Sequence, residues 1–395
     1  MKDKTKVRIG DWVEVRSKEE ILQTLDSEGQ LDGMPFMPEM LEFCGKKFQV
    51  YKIAHKTCDY SIYPYRVRRL VRTVHLLTRC DGQAHGGCQA ECLLYWKEDW
   101  LRPVEEDTTA RKSSKTDQTE IGAQNLLPGG HLESLIFARV AKQQAEDESP
   151  TYVCQMTQIH AATKPLAWWD PRQYLEDYLS GNISLKRLLT GLIYWIYYGL
   201  SQAGIGLGPA MRWFYNKICI LWGQSLFPRT PGHIPAGQPT PLVALNLLPG
   251  EIVRVKSHKE ILDTVDADNR NRGMHWDAEL VPYCGGTFKV IKRVSRLISE
   301  RTGKMLEMKT PCIALDSVVC QARYSSCRMF CPKSMYPYWR EAWLERAEPE
   351  KNCSQRDGTT SISSARYKSF WLSWFGHREY SHIRRKHLSK YKNFQ

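Results

Sequence analysis

The sequence predicts an α+β chain: two tandem copies of a small SH3-like β-barrel module with short helical insertions, separated by a helical middle region. Three observations predict it. A shift of 240 positions lays residues 8–54 on residues 248–294 without a gap, matching Gly10 with Gly250, Val13 with Val253 and Cys44-Gly45 with Cys284-Gly285. Each copy then carries further cysteines in the same order and closes on one aromatic pattern, Tyr95-Trp96 with Trp100-Leu101 and Tyr338-Trp339 with Trp343-Leu344. Between the copies the short strand-like runs give way to helix-start signals at Asp170-Pro171 and Ser184.

Residues 8–16 place Val13 and Val15 on one face, as a half-buried strand does. Ser17, with Glu20 three positions later and Ile21-Leu22 following, reads as a capping box that opens a short helix to about Leu25. Ser257 and Glu260 repeat it. Glu20 and Glu260 could also be read as catalytic acids, but the cap satisfies orphan N–H groups with no further assumption. Residues 37–43, with Pro38 near the start, predict a second helical turn that delivers Cys44 to Gly45. Phe48, Val50 and Ile53 form the next strand, as do Phe288, Val290 and Ile291, and further strands are expected at 74–77 and 313–315.

The expected organisation is module one at 8–104, a flexible linker at 105–150, the helical middle at 151–226, a Pro/Gly linker at 227–246, module two at 247–347 and a basic, aromatic tail at 348–395. Hydrophobic content of 42% is ample for packed cores. In the middle region Asp170-Pro171 starts a helix ending near Gly181, and Ser184 caps a second through Leu188, Leu192 and Trp195. No charged residue occurs from Leu188 to Met211, a run of 24 that could span a bilayer. Thr190, Gln202 and several glycines speak against a span, so a buried helix pair is the first expectation and membrane-surface contact the second.

The net charge is +13, and residues 366–395 supply +7 of it. An acidic partner is therefore expected to meet the tail: an anionic membrane surface contacted by 185–220 and 366–395, or a protein. Aromatic and basic residues interleave there, which also suits nucleic acid, but no nucleic-acid motif supports it. Residues 1–6 show no apolar stretch of a secretory signal, so the chain is expected in the cytoplasm, peripheral at the inner membrane, with its 13 cysteines reduced.

Repeated cysteines in that setting favour metal ligation over disulfides. The expected ligand sets are Cys44, Cys80, Cys88 and Cys92 in module one, and Cys284, Cys320, Cys327 and Cys331 in module two. Thiolates are soft ligands suited to zinc, or alternatively to an iron–sulfur cluster. Cysteines four apart place both sulfurs on one helical face or across one tight loop. The chain contains no CxxC pair, so the pattern departs from common zinc knuckles, and packed inert thiols remain a competing reading. Cys58, Cys154, Cys219, Cys312 and Cys353 fall outside both sets and are expected in the core or on the surface. His85 either replaces a sulfur or lies on the surface, and the surface reading is preferred. Lys97-Glu98 and Arg340-Glu341 are expected to be exposed.

Three segments carry a resemblance to a family of uncharacterised bacterial proteins: Cys44 to Val50, Cys80 to Cys92 and Trp96 to Leu101, each with its second copy, joined by Trp168-Trp169-Asp170-Pro171 in the middle. The resemblance implies a bacterial origin and no particular activity. No Ser/His/Asp order, P-loop, GxGxxG or HExxH motif stands out. The sequence thus points to a non-catalytic, metal-stabilised adaptor or interaction protein, with a zinc or iron–sulfur metalloenzyme or redox protein as the alternative.

Overall fold

The computed structural model of the chain describes residues 7–59, 66–104, 134, 136–142, 149–203, 206–221, 227–325 and 327–347. The tail, Cys353 and most of the 105–150 linker lie outside the described residues. The architecture mixes helices with curled antiparallel half-barrel sheets.

The first half runs β1 (Trp12–Val15), α1 (Lys18–Leu22), β2 (Gln30–Leu31), β3 (Met34–Pro35), a 3-10 turn (Pro38–Phe43), β4 (Lys47–Ile53), β5 (Lys56–Asp59), β6 (Arg66–Arg69), β7 (Thr73–Arg79), β8 (Leu93–Lys97) and β9 (Leu101–Pro103). The middle contributes β10 (Ala141–Lys142), β11 (Thr151–Tyr152), β12 (Lys164–Leu166), α2 (Pro171–Leu179), α3 (Leu185–Gln202) and α4 (Leu207–Leu221). The second half runs β13 (Ile252–Val255), α5 (His258–Leu262), β14 (Arg270–Asn271), β15 (Met274–His275), a 3-10 turn (Ala278–Tyr283), β16 (Thr287–Ile298), β17 (Met305–Leu315) and β18 (Leu344–Arg346).

The sheet orders are β8-β7-β4-β1-β9 and β17-β16-β13-β18. Val13 stands opposite Phe48 and Pro103, and Val253 opposite Phe288 and Arg346. Both halves carry an irregularity after the Val50–Leu76 and Val290–Leu315 pairs. The strand corresponding to β8 shrinks in the second half to one bridge, Ile313 with Trp339. Ser17 and Ser257 cap α1 and α5, each answered by its glutamate, so these acids act as helix caps.

Similar ring contacts occur in both cores. Phe36 meets Trp100 edge-on at 5.3 Å and Trp96 at 6.4 Å; Trp276 meets Trp343 at 5.0 Å and Trp339 at 5.9 Å. Such edge-to-face pairs add about 0.5–1.5 kcal/mol each beyond the area they bury. The charged residues of the closing segment are not exposed as expected. Lys97, Arg340 and Glu341 are buried because each finds partners: Lys97 bonds Asp32, Arg340 donates to the Arg272 carbonyl, and Glu341 accepts from the Leu245 and Leu247 amides and from Arg293.

The middle region is helical only from Pro171 onward. Residues 156–166 belong with the first half: β12 extends the β5-β6 sheet, while Met156 and Ile159 enter the first core. The expected buried helix pair is also only half buried. The inward side of α3 places Leu188, Leu192 and Trp195 against Ile183, Met329 and Phe330, whereas Leu185, Leu189, Ile193, Ile196 and Leu200 are exposed. Among the described residues no helix is long and apolar enough to cross a membrane.

A buried ionic knot ties these parts together. The Lys56 ammonium donates to Asp177 Oδ2 at 2.5 Å, to Gln173 Oε1 at 3.3 Å and to the Met329 carbonyl at 2.8 Å. Lys56 and Asp177 side chains are both 0% exposed, and Asp177 Oδ1 faces His55 Nε2 at 3.2 Å. Removing one partner of such a pair leaves an uncompensated buried charge. Lys56→Met is expected to lower the unfolding free energy by about 3–5 kcal/mol. Lys56→Met/Asp177→Leu should recover part of that loss. Urea titrations of the three proteins check this, and a near-neutral Lys56→Met would refute the knot's role.

His75, on β7, is fully buried, donates from Nδ1 to the Leu94 carbonyl at 2.9 Å and leaves Nε2 unpartnered. Burial above all, with help from Lys52 and Arg79, drives its pKa from 6.5 to about 3. The unfolded chain therefore takes up a proton that the folded chain refuses. Stability should fall as pH drops from about 6.5 toward 3, by about 1.4 kcal/mol per pH unit from this group alone. His75→Leu should flatten that part of the profile; an unchanged slope argues against His75 as its source.

Candidate metal centre

Backbone pairing fixes the register of the cysteine loops. The Cys80 amide donates to the Cys92 carbonyl at 2.9 Å, and the Cys320 amide donates to the Met335 carbonyl at 2.8 Å. Met335, not Cys331, therefore occupies the place of Cys92. The four-residue insertion of the second half precedes this position, and Cys331 is carried elsewhere.

In the first half the 80–92 loop folds over a small cavity of about 30 Å³. Cys80, Cys88 and Cys92 line it together with Cys154, which arrives from the segment after β11. Cys154 is anchored by its amide, which donates to Thr157 Oγ1 at 2.9 Å. The adjacent Gln155 inserts its side chain beside β8, accepting from the Tyr95 amide and donating to the Tyr95 carbonyl. The second half closes the cavity from the other side. Ile298 lines it and its amide donates to Cys88 Sγ at 3.4 Å, while Gln89 Oε1 accepts from the Ser295 and Arg296 amides.

Cys80 also meets two groups of different chemistry. One ligand atom each from Glu39, Cys80 and His85 lie within 4.8 Å of one another. His85 is 1% exposed, which corrects the surface reading. Its Nε2 lies 3.0 Å from the Val153 carbonyl and its Nδ1 lies 2.6 Å from Glu39 Oε1. Glu39, delivered by the 3-10 turn, is 8% exposed, and its Oε2 is buried without a hydrogen-bond partner. Burial first, then the Glu39 carboxylate and the neighbouring Cys92 and Cys154, push the Cys80 thiol far above its ordinary value. Burial raises Cys92 in the same way and lifts Cys154 to about 11. Without a cation these are neutral thiols, and a metal ion is the agent that could deprotonate them.

Cys44 does not line this cavity. It packs at the edge of the first core, where burial and Glu19 raise its thiol. Cys284 likewise packs against the second core. Two cysteines of the second half meet a first-half residue: Cys58, from β5, packs with Cys331, Ala322 and Cys320, and its amide donates to Cys331 Sγ at 3.1 Å. The hydrogen bond from Cys331, aided by the Lys333 and Arg328 charges, draws the Cys58 thiol down to about 6 despite burial. Cys327 stands half-buried beside Arg328. Cys312 is buried and accepts from Arg340 Nη1.

Sequence reasoning missed Glu39 and Cys154. Glu39 carried a signal, because Glu279 repeats it at the same 240-residue shift. Cys154 carried none, being unique to one copy. The repeat also shows why the halves differ. Glu279 spends its oxygens on the Arg323 and Tyr324 amides, where the first half presents an imidazole.

Gly82 shapes the loop. Its φ is +72°, and a Cβ there would stand 2.0 Å from the Cys88 carbonyl oxygen, whereas Gly87 has φ +74° and open space. Both positions strain an alanine, but only Gly82 adds a backbone clash. Gly87→Ala is expected to cost about 1–2 kcal/mol, and Gly82→Ala clearly more, with loss of the cavity. Paired thermal melts test this; equal costs would show that the loop tolerates the contact.

Comparison with protein-family models, with curated proteins and with solved structures gave no match.

Proposed function

We propose that this chain is a non-catalytic, metal-binding interaction protein. Its two half-barrels are read as tandem SH3-like modules, a reading supported by their shared strand order and register. One divalent cation, zinc in the first place, is held by Glu39, Cys80 and His85.

The observation that carries this reading is the 2.6 Å approach of His85 Nδ1 to Glu39 Oε1. In the tautomer whose Nε2–H donates to the Val153 carbonyl, Nδ1 turns a lone pair toward the carboxylate. Two acceptors at that distance repel unless a proton or a cation lies between them. A carbonyl that orients the non-ligating nitrogen is the usual support of a metal-bound histidine. Zinc bonds of about 2.0–2.2 Å would set the two atoms roughly 3.3 Å apart, a small opening. Glu39 Oε2 and Cys80 Sγ add donor capacity, and the thiols of Cys88, Cys92 and Cys154 stand nearby for a fourth bond. Burial of both Glu39 and His85 suits a closed structural site rather than an open catalytic one. In the adaptor role the ion stiffens the loop on which the two halves meet, and the partner is a protein.

The alternative, an iron–sulfur cluster, is favoured by one specific observation, four thiols lining one cavity. Anaerobic purification followed by metal analysis separates the two. Zinc at about one equivalent and a colourless protein are expected. Cys80→Ser and His85→Ala should each lose the ion, while Cys44→Ser and Cys284→Ser should keep it. Iron with inorganic sulfide in brown protein would favour the cluster. A metal-free chain that also ignores added zinc or cobalt would end the proposal.

A further inference from the structure

The exposed stripe of α3 is unusual in what surrounds it. Leu185, Leu189, Ile193, Ile196 and Leu200 follow the spacing of one helical face, and Ile193 is 65% exposed. Packing of α3 against α4 sets Leu207, Trp213 and Phe214 in the same hairpin, with Trp213 62% exposed. The opposite side of α3 is already occupied: a Cβ on Gly191 would strike the Phe330 ring at 2.4 Å. The stripe is therefore not a core face left loose but a second, outward apolar face on a packed helix. Contiguous apolar patches of this kind mark sites of association.

Charge decides what covers it. Residues 178–250 contain no Asp or Glu, yet they hold Lys186, Arg187, Arg212, Lys217 and Arg229. Arg187 and Arg229 turn inward, donating to the Gln321 and Tyr324 carbonyls. Lys186 borders the stripe at the start of α3, and Lys217 is exposed beside the Trp213 ring, 5.7 Å from its centroid. A second copy of the chain would bring the same cations face to face, and the stretch that carries them holds no acid of its own. An anionic bilayer answers both features, taking the apolar side chains below the headgroups and the cations at the phosphate level, with a tryptophan at the boundary.

We propose that the α3–α4 hairpin docks this protein, lying in the plane of the interface, on an anionic lipid surface. This surface is independent of the metal centre, so the two proposals stand or fall separately. The full-length chain is floated with vesicles of neutral phosphatidylcholine and with vesicles containing phosphatidylglycerol, at low and high salt. Binding to the anionic vesicles is expected, falling severalfold at high salt. Ile193→Ser/Ile196→Ser, at exposed positions, should fold normally by circular dichroism and lose binding by roughly tenfold or more. Lys186→Gln/Lys217→Gln should weaken binding to the anionic vesicles alone. If the isoleucine variant binds as well as the parent, the basic tail is the contact and the proposal fails. Absence of binding at low salt overturns it, as does a stable dimer that only the isoleucine variant dissolves.

Discussion

The burial of one lysine governs how this chain is put together. An ammonium removed from water must find an acceptor for each of its three N–H bonds, and Lys56 finds them on three carriers: the Asp177 carboxylate and the Gln173 amide of α2, and the Met329 carbonyl of the second half. The desolvation of that charge is offset only when all three carriers are in place. The first sheet, the helical region and the second cysteine loop are consequently one body at this point, although the sequence repeat suggests separate beads. Contacts beside it follow from the same arrangement. Arg79 stacks on Tyr336 at 3.8 Å and donates to the Ser334 carbonyl, and Lys52 reaches Ser334 Oγ.

Within this frame the two halves share a strand order and differ in the side chains their loops gather. A buried carboxylate in the corresponding 3-10 turn needs an answer in each half. Two backbone amides answer Glu279, whereas an imidazole answers Glu39 and leaves one carboxylate oxygen open. The thiols differ in placement as well. Each loop collects a cysteine from outside its own repeat, Cys154 in the first half and Cys58 in the second, and leaves the Cys-Gly thiol, Cys44 or Cys284, at the edge of a core.

What the sequence disclosed follows from how local each signal is. The Ser17 and Ser257 caps, the Asp170-Pro171 and Ser184 helix starts and the paired aromatic clusters depend on neighbours within a few positions, or on a repeat that aligns without gaps. The ligand sets were legible only in part. Cys80, Cys88 and Cys92 share a loop, but Cys154 joins them through the insertion of Gln155 beside β8, which no spacing rule encodes. Matching cysteine to cysteine sets Cys331 opposite Cys92, while the backbone pairs Met335 there. The burial of Lys97, Arg340 and Glu341 was illegible for a related reason: charge argues for the surface until specific partners are known.

The clamp on the 80–92 loop bears on the timing of maturation. Gln89 and Cys88 are held by the Ser295, Arg296 and Ile298 amides, two hundred residues further along the chain. At about 5–20 residues per second, a ribosome takes roughly 10–40 s to travel that distance. During this interval the nascent first half can form its sheet, but the wall supplied by β16 does not yet exist. The thiols around Cys80 are then open to solvent, to oxidants and to competing ions. Closure of the pocket is thus a late event of biogenesis, since its last wall is set only when the distant hairpin arrives.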